Sequence, residues 1–253
     1  MKASEVAAII EEFAPLAKQE EWDNCGFCIG SPDTEVKGVL IGLDCTLELL
    51  REAVSAGANM VVTHHPLIFK GIKKINEDTS LGRIITYAIQ NTLVVYAAHT
   101  NADKVASGVS GLMADKLCLS NREFLDEGGL GIIGNLPSPV SAQELIDTVK
   151  SKFKVRGLRC SKPLSEKIGR VALCGGSGGS LIGNALAKGA QAYICADVSY
   201  HNFFCEEGFM VMDIGHYESE FDIVDKLMSL LKEKINTFAV CTTANDNNPI
   251  YYY

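Results

Sequence analysis

Short apolar runs alternate with amphipathic segments along most of the chain. Lys37–Asp44 (KGVLIGLD), Met60–Thr63 (MVVT), Thr92–Ala97 (TLVVYA) and Arg170–Cys174 (RVALC) have the length and composition of strands, as do Ala192–Ala196 (AYICA), Phe209–Ile214 (FMVMDI) and Thr237–Thr242 (TFAVCT). Between them, apolar residues recur at helical spacing over Thr46–Ala56, Ser80–Gln90, Ser107–Lys116, Ser141–Phe153, Leu181–Lys188 and Ser219–Lys234. A further helical pattern, ASEVAAIIEEFAPLAKQ, opens the chain. This β-α-β rhythm predicts an α/β fold with mostly parallel sheets flanked by helices. Residues Glu127–Val140 carry four glycines and two prolines and interrupt the rhythm. The expected division is therefore a first α/β domain over 1–126 and a second over 127–253, with the C-terminal strand able to return to the first.

Composition narrows the class. The chain has 253 residues, 47% hydrophobic and 21% charged, enough for a large core. A net charge of -8 argues against a nucleic-acid surface, where a basic face would dominate. No apolar run approaches the ~18 residues needed to cross a bilayer, and Met1-Lys2 leads straight into the first helical pattern, so a cytoplasmic protein without a leader is expected. Nine scattered cysteines fit reduced thiols acting as small hydrophobes. Two of them, Cys25 and Cys28, stand at C-x-x-C spacing in WDNCGFCIG. A turn sequence follows rather than a helix start, and no second pair completes a zinc knuckle, so the stretch is expected to be an extended structural segment.

The five histidines are the strongest chemical signal. His64 and His65 follow MVVT and precede Pro66, and His99 follows TLVVYA with Asp103 four residues on. His201 follows AYICA, and His216 follows FMVMDI with Glu220 four residues on, which places that pair on one helix face. All five thus lie just past the carboxyl ends of predicted strands, where open parallel sheets place ligand sites. Imidazoles with carboxylates suit Zn, Mn, Fe or Co, and a carboxylate such as Glu220 can bridge two ions.

These residues resemble a known family. T-H-H-P at 63–66, H-T-N-x-D at 99–103 and G-H-x-x-x-E at 215–220 are similar to the signature of the NGG-interacting-factor-three-like proteins, widely described as GTP cyclohydrolase 1 type 2 homologues. WDNCGFCIG, GGSGG at 175–179, ADVSYH at 196–201 and NNPIY at 247–251 match in order and spacing. The resemblance implies two α/β domains with a dinuclear divalent-metal centre in the cleft between them, and a toroidal homohexamer built as a trimer of dimers. In that reading His64 and His65 bind separate metals (Zn, Fe or Mn), Asp103 and His216 complete the coordination, and Glu220 bridges. His99 and His201 line the pocket as catalytic proton carriers. Ala102 replaces a larger apolar residue expected there, and only a short linker and one helix fit where many members carry a long mid-chain insertion.

The implied activity is metal-dependent hydrolysis of a nucleotide-like or phosphorylated substrate. Gly175–Ser180 is a weak candidate phosphate loop, lacking the G-K-[ST] of a P-loop, and Lys70, Lys73 and Lys74 are candidate phosphate partners. Two other readings compete. GGSGG also spells G-x-S-x-G, with Ser177 as nucleophile and Asp197 or Asp213 and then His216 following in α/β-hydrolase order. The second is a non-enzymatic metal-binding adaptor or regulatory ring, since ligands alone do not establish turnover.

Overall fold

The structure, a computed structural model, describes residues 1–245 and 247–253. In chain order the first elements are α1 (Ala3–Phe13), β1 (Gly26–Ile29), β2 (Gly38–Gly42), α2 (Leu47–Ser55), β3 (Met60–Thr63), α3 (Ser80–Gln90), β4 (Val94–Ala97) and the single turn α4 (Thr100–Asp103). Next come α5 (Val109–Lys116), β5 (Ser120–Phe124), β6 (Ile132–Val140), α6 (Ala142–Lys152), β7 (Arg159–Cys160), β8 (Ile168–Ser177) and α7 (Ile182–Ala187). The chain ends with β9 (Ala192–Ala196), β10 (Met210–Asp213), α8 (His216–Glu220), α9 (Asp222–Lys234) and β11 (Ala239–Thr242). Thr46 and Thr79 cap α2 and α3 through their hydroxyls, and Ser141 with Glu144 forms a reciprocal capping box on α6.

The chain forms two compact units, the first from Met1–Ala102 with Ile223–Asn247, the second from Asp103–Asp222 with Asn248–Tyr253. The expected boundary near residue 126 is thereby corrected. Gly128, Gly129 and Gly131 lie in the turn between β5 and β6, and Gly134, Pro137 and Pro139 lie in β6, which pairs antiparallel with both β5 and β8, so that stretch belongs to the second sheet rather than to a linker. The C-terminal strand does return: β11 pairs parallel to β2, with Val240 opposite Val39.

The first unit carries one sheet in the order β1-β4-β3-β2-β11, parallel except for the edge strand β1. WDNCGFCIG thus supplies a true strand rather than a redox motif. Burial pushes the Cys25 thiol up to about 12 and raises Cys28 as well, so neither is a thiolate at neutral pH. The interior strands read VLI, MVV and VVY because α-helices cover the sheet and leave no solvated face. Leu49, Leu50 and Ala53 of α2 pack with Leu40, Val61 and Val95 on one side.

The second unit carries a mixed sheet in the order β5-β6-β8-β9-β10-β7. Only β8–β9 and β9–β10 are parallel, which corrects the expectation of a mostly parallel sheet here. Both faces are covered. Met113, Leu145, Val149 and Phe153 pack with Leu173, Ile194 and Met212 on one face, and Leu181 and Ala185 pack with Tyr193 and Val211 on the other. Among the described residues, no helix is long and apolar enough to cross a membrane.

The returning strand is held by one side chain. The Glu52 carboxylate accepts from the Thr243 hydroxyl at 2.6 Å, the Ala244 N–H at 2.8 Å and the Asn245 amide at 2.8 Å. Partial burial alone would raise Glu52, but these three donors outweigh it and hold the carboxyl below its ordinary value. Glu52→Ala is expected to cost roughly 1–2 kcal/mol in urea denaturation. Because the folded-state pKa is depressed, the contribution is present above about pH 4 and fades as pH falls through the folded value, so mutant and wild type converge in acid.

Candidate metal-binding side chains

Strand register brings the first group together. Gly42 pairs with Thr63 and Thr63 with Ala97, so β2, β3 and β4 end in one row. Asp44, His64 with His65, and His99 emerge just beyond that row. The turns are fixed by backbone: the His65 N–H donates to Leu43 O at 3.0 Å and the Ala98 N–H to Thr63 O at 2.9 Å. The three imidazole rings lie with centroids 5.0 to 5.4 Å apart. Each offers a nitrogen within 4.8 Å of the others, close enough to hold an ion.

Each ring is also aimed. His64 Nδ1 is 2.7 Å from the Ala98 carbonyl, His65 Nδ1 is 2.7 Å from Asp44 Oδ1, and His99 Nδ1 is 2.8 Å from Asp23 Oδ1. An oxygen at Nδ1 makes that nitrogen the N–H donor and Nε2 the lone-pair nitrogen, the arrangement in which a ligating histidine's orientation and basicity are set from behind. Asp23 is the most heavily used of these acceptors. Its buried carboxylate also accepts from the Thr100 hydroxyl, the Thr100 N–H at the start of α4, and the Cys25 thiol. Burial would raise its pKa, yet the donors from His99, Thr100 and Cys25 together hold it far below the usual carboxylate range. Asp23, Asp44 and the Ala98 carbonyl were not legible as site residues. Asp23 alone left a trace, inside the WDNCG motif.

The second group belongs to the other unit. Gly215, at φ +92, turns the chain from β10 into α8, and His216 is the first residue of that helix. His216 Nδ1 is 2.7 Å from Asp197 Oδ2, and Asp197 sits beyond β9 in the left-handed region at φ +53, which Asp tolerates better than most residues. His216 Nε2 is 3.0 Å from the Glu220 carboxylate, one turn on as the spacing required. Glu220 is buried. With Asp197 on one ring nitrogen and Glu220 at the other, the contact between Nε2 and Glu220 needs a shared cation, either a proton or a metal ion. Asp103, at the end of α4, belongs to the same unit. Burial chiefly raises the Cys174 thiol at β8, and the Asp103 and Glu220 carboxylates both add to that rise, so both stand near this strand's end.

GGSGG packs against this group. The Gly176 N–H donates to Ser219 Oγ at 2.9 Å, and a Cβ built on Gly176 would fall 2.1 Å from Glu220 Oε1. Glycine is what lets the strand pass over the carboxylate. The left-handed residue is Gly176, at φ +61, while Ser177 remains in β8 opposite Ala196. A nucleophile elbow requires the strained turn at the serine itself, and His216, though backed by Asp197, turns its Nε2 to Glu220 rather than to Ser177, so no Ser177 triad forms among the described residues. His201 is in neither candidate group among the described residues. It lies exposed on a turn, its ring against Tyr200 at 5.3 Å and Phe204 at 6.3 Å.

Comparison with known proteins identifies the family and the fold. A family model described as Duf34/NIF3 (NGG1p interacting factor 3) matches residues 1–249. A GTP cyclohydrolase 1 type 2 homolog of Clostridium perfringens is 34% identical, covering 97% of this chain and 98% of its own length. One from Streptococcus pneumoniae is 35% identical over 92% of this chain and 91% of its own. Among solved structures, a Bacillus cereus protein related to NIF3 shares the fold at a TM-score of 0.93, with 24% identity over 100% of this chain and 99% of its own. A Staphylococcus aureus hypothetical protein superposes at 0.91, with 27% identity and the same coverage.

Gly176→Ala forces a side chain into the left-handed region and against Glu220. It is expected to lower stability by about 1–3 kcal/mol. Gly183, inside α7 with open space around its Cα, is the control, where alanine is expected to stabilise by about 0.5 kcal/mol. Thermal denaturation of the two variants checks the contrast, and similar losses in both would contradict it.

Proposed function

Since the chain belongs to the Duf34/NIF3 family, we propose that it is a metal-dependent hydrolase holding two divalent cations and acting on a nucleotide-like or phosphorylated substrate. One observation carries the reading: four histidines present an imidazole whose Nδ1 is bound to an oxygen acceptor, alongside a buried carboxylate. Nitrogen with carboxylate oxygen is the donor set of Zn, Mn or Fe, so the residues fit the group. In this reading the residues that would hold the ions are His64 and His65 in the first unit and Asp103, His216 and Glu220 in the second. Divalent cations there would supply Lewis acidity and activate water near neutral pH.

The chain's own groups do the rest. Asp44 and the Ala98 carbonyl keep the Nε2 lone pairs of His65 and His64 turned toward the ligand. Asp197 does the same for His216 and favours its protonated Nδ1. His99, backed by the ionised Asp23, accepts a proton at Nε2 and returns it to a leaving group, with Asp23 stabilising the imidazolium between the two events. His201 has no such backing, and the proton role rests on His99 alone. The family premise also supports a homohexamer, which light scattering would weigh directly.

Protein purified without a tag is expected to carry about two divalent ions per chain by elemental analysis, and His64→Ala with Glu220→Ala is expected to abolish them. Asp44→Ala should weaken metal binding about 10- to 100-fold while leaving the ligands in place. Retention of both ions by the double variant would overturn the metal assignment. Chelator-sensitive release of formate or phosphate from a panel of nucleotides and phosphoesters tests turnover. A metal-loaded protein inert across that panel would favour the adaptor reading.

A further inference from the structure

Trp22 and Phe69 are large aromatic side chains left 58% and 45% exposed. They are not scattered surface residues. Their ring centroids are 5.6 Å apart, and each sits edge-on to His99, at 6.3 and 6.1 Å. The pair therefore stands at the rim of the imidazole group, on the side of the ring assigned the proton transfer. An indole commonly buries 150–250 Å² of apolar surface, so leaving one in water forgoes a large hydrophobic gain.

The loop that carries the indole is held firmly. Directly after Trp22, Asp23 binds His99 and Thr100, and the Asn24 amide donates to the Ile68 carbonyl at 2.7 Å, one residue before Phe69. The same few bonds thus position both aromatic rings and the histidine. A rigid exposed aromatic pair beside a polar, ion-binding group is how sites take a flat ring by stacking while polar groups address its substituents. Lys70, Lys73 and Lys74 follow Phe69 on exposed chain, with Glu77 and Asp78 after them and Glu20 and Glu21 before Trp22, so the flanking segments carry charges of both signs.

We infer that Trp22 and Phe69, in edge-to-face contact with their planes at 61°, form an aromatic clamp that takes a planar heteroaromatic ring, such as a nucleobase, on their exposed faces rather than between them, and presents that ring's edge to the His64–His65–His99 group. The inference rests on the reading of that group as part of a hydrolytic centre, and it adds the residues that choose the substrate class. Stacking tolerates different bases, so the clamp selects for flatness and the imidazole edge supplies any finer choice.

Trp22 is the only tryptophan in the chain, so intrinsic fluorescence reports on the clamp alone. Metal-loaded protein titrated with guanosine, adenosine and cytidine 5′-monophosphates should show saturable quenching, while ribose 5-phosphate at equal concentration should show none. Phe69→Ala keeps the reporter and should raise the dissociation constant at least about fivefold. In equilibrium dialysis Trp22→Ala should weaken binding similarly and Trp22→Phe should restore most of it, which a merely structural role would not do. Absence of quenching by every nucleotide, or quenching unchanged by Phe69→Ala, overturns the clamp. So does an indole already shielded from acrylamide in the free protein, because a surface covered by a second copy would be closed to a ring. Elemental analysis of the same sample separates the two failures: a protein with its metals but a silent tryptophan loses only the clamp, and a protein without metals loses the hydrolase.

Discussion

An imidazole can ligate a metal only through a nitrogen that is not carrying its proton, so the chemistry of this chain depends on what stands behind each ring. At His64, His65, His99 and His216 an oxygen lies 2.7 to 2.8 Å from Nδ1. Those four contacts fix the tautomer and the direction of Nε2 together. Hydrogen bonds to charged partners contribute about 1.5–3 kcal/mol, comparable to the tenfold to hundredfold in metal affinity that such backing typically controls. Without them neither the tautomer nor the direction of each ring would be set.

The two units reach this arrangement by different means. In the first, aligned parallel strand ends do most of the work, because the Gly42–Thr63–Ala97 row forces the residues beyond it to emerge side by side. In the second, a short helix does it: Gly215 provides the turn, α8 supplies the i, i+4 spacing, and Gly176 yields the space that the Glu220 carboxylate needs. Ser219, between the two ligand candidates on α8, accepts from the Gly176 N–H and so locks helix to strand. In the first unit the histidines stand on turns directly after the strands, and in the second His216 and Glu220 stand on α8.

Much of this was legible beforehand. MVVT and AYICA coincide with β3 and β9, and Ser80–Gln90 with α3, because each has an unambiguous period and clear end signals. The strand-end placement of the histidines followed from the same pattern, and the pairing of His216 with Glu220 followed from helix geometry. What failed has physical causes. β5 and β7 are short and polar, with no apolar period to find, and β6 hides behind glycines and prolines that its irregular register tolerates. The unit boundary depends on α9 and β11 returning to the first sheet, a long-range contact that local composition does not encode. Asp44 and Asp197 are isolated acids in turn sequences, indistinguishable in the chain from solvated ones.

The thiols complete the argument by what they do not do. Thiolate is a stronger ligand for zinc than imidazole or carboxylate, so cysteines beside nitrogen and oxygen groups able to hold a metal pose a competition. Where the thiol is buried or half-buried, desolvation settles it. Desolvation pushes Cys45 and Cys195 up to about 12, as it does Cys25, and drives Cys174 higher still with the Asp103 and Glu220 carboxylates adding to it. A thiol held that far above neutrality is a small apolar side chain rather than a ligand, and Cys25 and Cys174 use their protons locally, toward Asp23 and the Gly175 carbonyl. The same buried environment that makes the strands pack therefore keeps these thiols protonated.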